Sequence, residues 1–391
     1  MIKNLSILGA TGSIGDSALK ILENFKENLN LVAVSTNKNV KKLIQIIEKY
    51  SPEYAVITDK ESCQKYFNSD KAIIKNTKIF SGIEYLLQLC SDKKNDIILN
   101  AVSGKSGLIP SLKCLENGID LALANKESMV CAGPLMKKTA RQNRCQILPV
   151  DSEHSAIFQL LRDKNSKEID KIYLTASGGP FLNLDKSNWN KITVADALNH
   201  PTWKMGSKIS IDSATMANKG LEVIETKEFF DIEYDRIKVL IHPQSLIHSM
   251  IEMRDGEIYA QIGPNDMSIP IQNSLFFPEI LENRYNRFDF TKTVNFQLFP
   301  VDFSKYKMLS FAYISGKNGG LYPAFYNCVN ERLVDYFLKE TISFLDIEKY
   351  MERALDIFAE DRDVEKNDIT IENVDIIENL SKRIVDKLIK G

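Results

Sequence analysis

The stretch LSILGATGSIG, residues 5–15, constrains the fold more than any other. An apolar run leads into Gly9, Gly12 and Gly15, then into DSALKILENF, whose Ala18, Leu19, Leu22 and Phe25 recur at helical spacing. A strand, a glycine turn and a helix N-terminus in that order form a phosphate cradle. Glycine lets the backbone approach a pyrophosphate closely, and the helix's unpaired N–H groups and dipole attract it. The following strand, NLVAVST, ends in Ser35 and Thr36, with Asn37, Lys38 and Asn39 next. An NAD-binding chain carries an acid there for the ribose 2′-hydroxyl. With no such carboxylate and Lys38 within reach, the 2′-phosphate of NADP fits better, the alternative being a solvated loop lysine.

Strands YAVIT, DIILNAV and IDLALAN alternate with the helical KKLIQIIEKY and IPSLKCLENG, which predicts an α/β chain opening on a Rossmann-like, doubly wound parallel sheet. Ligands of such sheets gather beyond the carboxyl ends of the strands. LANKES, Leu123 to Ser128, stands at one of these ends, so Asn125, Lys126 and Glu127 are candidates for lining the crevice; a surface turn is the rival.

Charge and composition narrow the partners. Fifty basic against 52 acidic side chains leave no basic field for nucleic acid, so a polyanionic ligand needs a local site. The six cysteines form no CxxC pair, which argues against a zinc knuckle or a redox dithiol and for reduced thiols. No stretch approaches about 18 consecutive apolar residues and no targeting signal is evident, so a cytoplasmic protein without a membrane partner is expected.

Acids draw attention in the middle of the chain. In PVDSEHSAIFQ, residues 149–159, Asp151 and Glu153 flank Ser152 just after the strand-like CQILPV. They suit the start of a helix, as cap and first-turn charge, and equally suit chemistry. SIDSATMANKGLEVIETKEFF predicts a helix beginning near Asp212, with Gly220 an interior cost of about 1 kcal/mol relative to alanine. On it Asn218, Lys219 and Glu222 share a face, either a salt-bridged exposed surface or a metal ligand beside phosphate binders. TASGGPF offers Ser177 with two glycines whose N–H groups can meet phosphate oxygens. ALNHPTWKMGSKI places His200, Trp203, Met205 and Gly206 in a polar loop, a lid that excludes water or a loop pinned to the core. HSMIEMRDGEIYAQIG reads as a hairpin turning at Asp255-Gly256, and His242 and His248 read as structural.

Together GATGSIG, LANKES, PVDSEHSAIFQ, TASGGPF, NHPTWKMGSKISIDSATMANKGLEVIE, HPQSLIHSM and GPNDMSIPIQ resemble, in order over residues 1 to about 275, the 1-deoxy-D-xylulose 5-phosphate reductoisomerase family. The resemblance thins towards the C-terminus, where YNCVNE is the clearest echo. It implies an NADPH-dependent enzyme of non-mevalonate isoprenoid biosynthesis. Asp151, Glu153 and Glu222 would hold a divalent cation, magnesium, manganese or cobalt, and with Lys126 would be catalytic. Ser152 and Lys126 would contact the substrate backbone. Ser177, His200, Ser213, Asn218 and Lys219 would surround its phosphate, and Trp203 and Met205 would lie on a closing flap. Thr11, Gly12, Ser13, Ile14, Asn37, Lys38, Asn39, Asn125, Glu127 and Gly206 fall on cofactor positions. Asn37, where a glycine is usual, and Thr202 and Lys204 in the flap depart from the family pattern.

The implied organisation is an NADPH-binding domain over 1–150, an α+β catalytic and metal-binding domain over 151–275, a connecting segment over 276–303 and a helical domain over 304–391. The last rests on helical spacing such as Val374, Ile377, Ile384 and Leu388. A homodimer acting on a small sugar phosphate follows from the resemblance. The competing readings are another NADP-dependent dehydrogenase of similar plan, for semialdehyde or homoserine, and a non-catalytic NADP sensor with no use for three converging acids.

Overall fold

Short, β-branched and leucine-rich runs between helices build the first sheet. Its strands are Lys3–Leu8 (β1), Leu29–Thr36 (β2), Tyr54–Ile57 (β3), Lys71–Ile74 (β4), Thr77–Ser81 (β5), Ile97–Asn100 (β6), Asp120–Leu123 (β7) and Ile147–Pro149 (β8). They pair in the order β4-β5-β3-β2-β1-β6-β7-β8, all parallel except β4 against β5. The central strands bury both faces, as a sheet covered by crossover helices must: Leu5, Ile7, Leu8, Ile98 and Leu99 are fully buried.

The chain winds outward from β1 through β2 and β3, then returns to the other side of β1 as β6. That reversal is the topological switch point, where the connections leaving two neighbouring strands run off to opposite sides. Gly9 follows β1 with φ +77°, and a Cβ there would lie 2.6 Å from the Ala101 carbonyl oxygen beyond β6. Only glycine serves where the two strand ends come so close.

The computed structural model describes residues 2–164, 166–203, 205–360 and 368–390, in two compact units. The first comprises Met1–Ser128, Met136–Ser155 and Asp266–Asn286; the second comprises Met129–Leu135, Ala156–Asn265 and Arg287–Gly391. The units thus interleave along the chain. Helix Ser268–Phe276 belongs with the first unit: Phe276 packs on Phe25 with ring centroids 5.1 Å apart, and Ser274 Oγ donates to the Pro149 carbonyl at 2.7 Å.

The second unit holds a five-stranded sheet of Ile169–Ala176 (β9), Ile237–Ile241 (β10), Ile247–Met253 (β11), Ile258–Ile262 (β12) and Phe299–Pro300 (β13), ordered β12-β11-β9-β10-β13. β11 and β12 form the expected hairpin, with Gly256 at φ +91° in its turn. Helices Lys307–Asn318, Tyr322–Leu338, Phe344–Glu360 and Ile371–Lys390 follow. Their core includes the stacked rings of Phe325 and Phe358 and the buried Val374, Ile377 and Ile384. Leu388 is half-buried.

One expectation is corrected. The helix predicted from near Asp212 is two helices, Ser207–Thr215 and Ala217–Phe230, broken at Met216, whose φ of +64° is left-handed. Buried Met216 carries no turn signature, because methionine is a good helix former and its left-handed backbone is imposed by packing.

Candidate active site

The glycine turn after β1 is held by β2. Gly9 N–H donates to Ser35 Oγ at 3.1 Å, Ala10 N–H to the Ser35 carbonyl at 2.8 Å, and the Thr11 and Thr36 hydroxyls meet at 2.7 Å. Gly12 begins helix Ser13–Asn24, and no side chain caps that end. Gly12, Ser13 and Lys38 are exposed, and Thr11 and Ile14 are half-buried. Asn37 donates to Thr58 Oγ1 at 2.8 Å, and Asn39 caps helix Val40–Tyr50 by accepting from Lys42 N–H at 3.2 Å. These contacts leave the Lys38 side chain facing solvent at the end of β2.

After β7, Asn125 caps helix Lys126–Asn143. It is buried, accepts from Ser128 N–H at 3.0 Å, and its amide donates to the carbonyls of Val102 and Gly104, each at 2.8 Å, and to Glu127 at 2.9 Å. Asn125 therefore clamps the loop after β6 to the helix start. Lys126, also buried, reaches Asp151 Oδ2 at 3.0 Å.

Asp151 ends the segment after β8, and helix Ser152–Leu160 starts beside it. Its Oδ1 accepts from Glu153 N–H at 3.3 Å, so the capping reading holds for one oxygen while the other meets the Lys126 ammonium. Ser152 Oγ donates to Glu153 Oε2 at 2.5 Å. His154 was not anticipated: it is fully buried with Nδ1 3.2 Å from Asp151 Oδ1. The i,i+3 spacing in DSEH was the available signal.

The anticipated phosphate binders all lie in the second unit, Ser177 beside His200 and the Ser213 helix, and Asn218 and Lys219 on the helix after it. Gly178 and Gly179 have φ of +85° and +68°, and Tyr306 fixes their loop by donating to the Gly178 carbonyl at 3.1 Å. A Cβ on Gly179 would lie 2.8 Å from the Ser213 carbonyl oxygen, so this loop packs directly on the helix carrying Ser213. Ser177 Oγ lies 3.1 Å from His200 Nε2. His200 Nδ1 accepts from the N–H groups of Thr202 and Trp203, at 3.2 and 3.0 Å, which places the ring proton on Nε2 as a donor. Trp203 and Met205 are half-buried, Gly206 is exposed, and Lys204 lies outside the described residues. On the next helix Glu222 is buried, accepts from Asn218 at 2.6 Å, and pairs with the buried Lys219. The salt-bridged face is therefore an interior one.

Burial lowers the His200 pKa. A depressed histidine takes up its proton at lower pH folded than unfolded, so the unfolded state binds more protons between the two values. Stability is then present above the unfolded value, about 6.5, and falls as pH drops below it. Urea unfolding between about pH 5 and 8 is expected to lose part of this acid sensitivity in His200→Gln. An unchanged pH dependence would count against a buried neutral ring.

Asp151, Glu153 and Glu222 each offer a carboxylate oxygen, and these oxygens lie within 4.8 Å of one another. Among the described residues no other such group is found. Its donors are all hard oxygens, and Lys126 and Lys219 balance part of the charge.

Comparisons with known proteins follow this geometry along the whole chain. The family descriptions 1-deoxy-D-xylulose 5-phosphate reductoisomerase, its C-terminal domain, and DXP reductoisomerase C-terminal domain match residues 5–133, 147–230 and 262–384. A 1-deoxy-D-xylulose 5-phosphate reductoisomerase of Clostridium kluyveri is 45% identical over 392 residues, covering 100% of both chains. The chain belongs to the 1-deoxy-D-xylulose 5-phosphate reductoisomerase family. Its reductoisomerase relatives include that of Chloroherpeton thalassium, 45% identical over 90% of this chain and 91% of the other. A solved DOX-P reductoisomerase in complex with NADPH, fosmidomycin and magnesium superimposes with a TM-score of 0.92 at 34% identity, over 100% of this chain and 98% of that one. The Zymomonas mobilis reductoisomerase in complex with NADPH gives 0.88 at 36% identity, over 100% of both.

Proposed function

We infer that this chain carries out the reductoisomerase reaction: NADPH- and divalent-cation-dependent rearrangement and reduction of 1-deoxy-D-xylulose 5-phosphate to 2-C-methyl-D-erythritol 4-phosphate, in non-mevalonate isoprenoid biosynthesis. What carries this reading is the full-length likeness to reductoisomerases, among them structures holding NADPH and magnesium. The test is NADPH oxidation that requires both the sugar phosphate and a divalent cation. No oxidation with both present would overturn it.

In this reading Asp151, Glu153 and Glu222 hold the cation, a donor set that suits magnesium or manganese. When bound, the cation supplies Lewis acidity at the substrate's ketone and hydroxyl oxygens, and NADPH supplies the hydride. Lys126 and Ser152 orient the substrate backbone. His200 Nε2–H, Ser177, Ser213, Asn218 and Lys219 grip the phosphate. Carbon–carbon cleavage and rejoining requires two fragments to stay near reacting distance, about 3 to 3.5 Å, and anchoring the unreactive phosphate does that. Trp203 and Met205 close over the site and exclude water.

The glycine turn with Thr11, Gly12, Ser13 and Ile14 receives the cofactor pyrophosphate, with Asn37, Lys38, Asn39, Asn125, Glu127 and Gly206 lining the rest of its site. By function, residues 1–150 are then the NADPH-binding domain, 151–275 the catalytic and metal-binding domain, 276–303 the connection and 304–391 the helical domain, with Asp266–Asn286 packed in the same compact unit as the first of these. From the exposed Lys38, Lys38→Ala is expected to raise the KM for NADPH about tenfold and leave that for NADH unchanged, the loss of one charge-assisted hydrogen bond. Equal changes for both cofactors would remove Lys38 from the 2′-phosphate.

The chain is also proposed to act in the cytoplasm as a homodimer. Among the described residues no helix is long and apolar enough to cross a membrane. Edge strand β12 exposes Ile258, Tyr259 and Ile262 beside unpaired backbone groups, a surface suited to a second copy. Sedimentation at micromolar concentration is expected to read a dimer, and a monomer would refute it.

A further inference from the structure

The helical C-terminal region shows no chemistry of its own in the sequence, yet besides Tyr306 at the Gly178 carbonyl it sends a second polar side chain into the site's foundations. Asn330, on helix Tyr322–Leu338, is fully buried, and its Nδ2 donates to Asp212 Oδ1 at 2.8 Å. Asp212 is itself only 1% exposed, and its Oδ2 meets Lys208 Nζ at 2.8 Å. Among the described residues Asn330 Oδ1 has no hydrogen-bond partner, and the side-chain amide bonds Asp212 alone. Turning the amide over would set an oxygen against the carboxylate, which holds it in this orientation.

Asp212 sits in the short helix Ser207–Thr215. The segment with Trp203 and Met205 enters that helix through Gly206, where among the described residues a Cβ would meet nothing within 4 Å and no side chain caps the first turn. Ser213 follows Asp212 directly, and its carbonyl lies against Gly179 of the Ser177 loop. The left-handed Met216 cuts this helix from the next one, so it does not inherit its position from a longer rod. Its place depends on what grips it, and a desolvated carboxylate bonded from another helix is a directional grip.

We propose that Asn330, through Asp212, is a positioning residue that sets the helix carrying Ser213 and the root of the flap for phosphate binding. It touches neither substrate nor cofactor. The inference rests on Ser213 being a phosphate-side residue.

Steady-state kinetics on the full-length enzyme separate positioning from plain stability. Asn330→Ala is expected to raise the KM for 1-deoxy-D-xylulose 5-phosphate roughly tenfold, the effect of losing one hydrogen bond to a charged group, with a much smaller rise in the KM for NADPH, which this helix reaches only through Gly206. Asn330→Ser, which keeps a short donor, is expected to fall between the two. Circular dichroism sets the folded fraction of each. If both constants are unchanged, or both move together in whichever variant folds, the proposal is wrong. Failure of both variants to fold assigns Asn330 to stability alone and likewise overturns it. Ser213→Ala serves as the companion measurement: no rise in the substrate KM there sinks the phosphate reading itself, whereas a rise there without one at Asn330 sinks only the positioning role.

Discussion

Glu222→Gln is expected to lose at least about 100-fold in kcat/KM, since even partners that merely orient metal ligands cost 10- to 100-fold when changed. Glutamine keeps the shape and an oxygen that can still accept from Asn218, so the helix Ala217–Phe230 retains its packing. What it lacks is the charge that completes a set of three carboxylates within 4.8 Å. Chelator-treated wild type should lose NADPH oxidation and regain it with magnesium or manganese. A second readout does not depend on turnover: saturating cation should stabilise the wild type against urea, by about 2.7 kcal/mol at 100 times its dissociation constant, and stabilise Glu222→Gln far less. Full activity of either chelated wild type or the variant would remove Glu222 from the metal site.

Gly220→Ala is expected to destabilise the protein by about 1 to 3 kcal/mol, the usual cost of overpacking. Helix propensity alone predicts the opposite sign, a gain of about 1 kcal/mol. The structure decides between them, because a Cβ at Gly220 would lie 2.6 Å from Ala312 Cβ and 3.1 Å from the Tyr326 hydroxyl, where helix Lys307–Asn318 crosses. Tyr326 is fully buried and its hydroxyl donates to the Met308 carbonyl at 3.0 Å, so it has little room to yield. Asn218, Lys219 and Glu222 ride on the same helix, and a shift there should lower activity in parallel. Urea unfolding of the variant checks the sign. A more stable Gly220→Ala would show that the two helices separate easily and that close approach is not why glycine stands there.

Much of the site was legible because its signals are local. A strand, three glycines and a helix in immediate succession specify a cradle without reference to anything distant, and β1, Gly9 and helix Ser13–Asn24 follow that plan. The spacings Asn218 to Glu222 and Lys219 to Glu222 place three side chains on one helical face whatever surrounds it. Exposure was the part left undecided. Periodicity alone cannot tell a salt-bridged surface from an interior one, and Lys219 and Glu222 proved to be buried. His154 went unnoticed because the only sign of it, its i,i+3 spacing from Asp151, has meaning only if a helix starts there, and a single histidine does not announce that helix.

By itself the sequence determined the order of elements, the parallel sheet, the glycine turn, the helical C-terminus and the residue types available for a cation and a phosphate. Each of these depends on hydrogen bonding and apolar spacing within a few residues. Only the tertiary structure decided that Met216 breaks a helix, that Ser268–Phe276 returns to the first sheet, that Gly220 marks a crossing, and that Asn330 reaches Asp212. Apolar spacing states that a face will be buried but not against what. The partner is chosen by close packing and by the need of each buried polar group for a bonded neighbour, and both are settled between residues far apart in the chain.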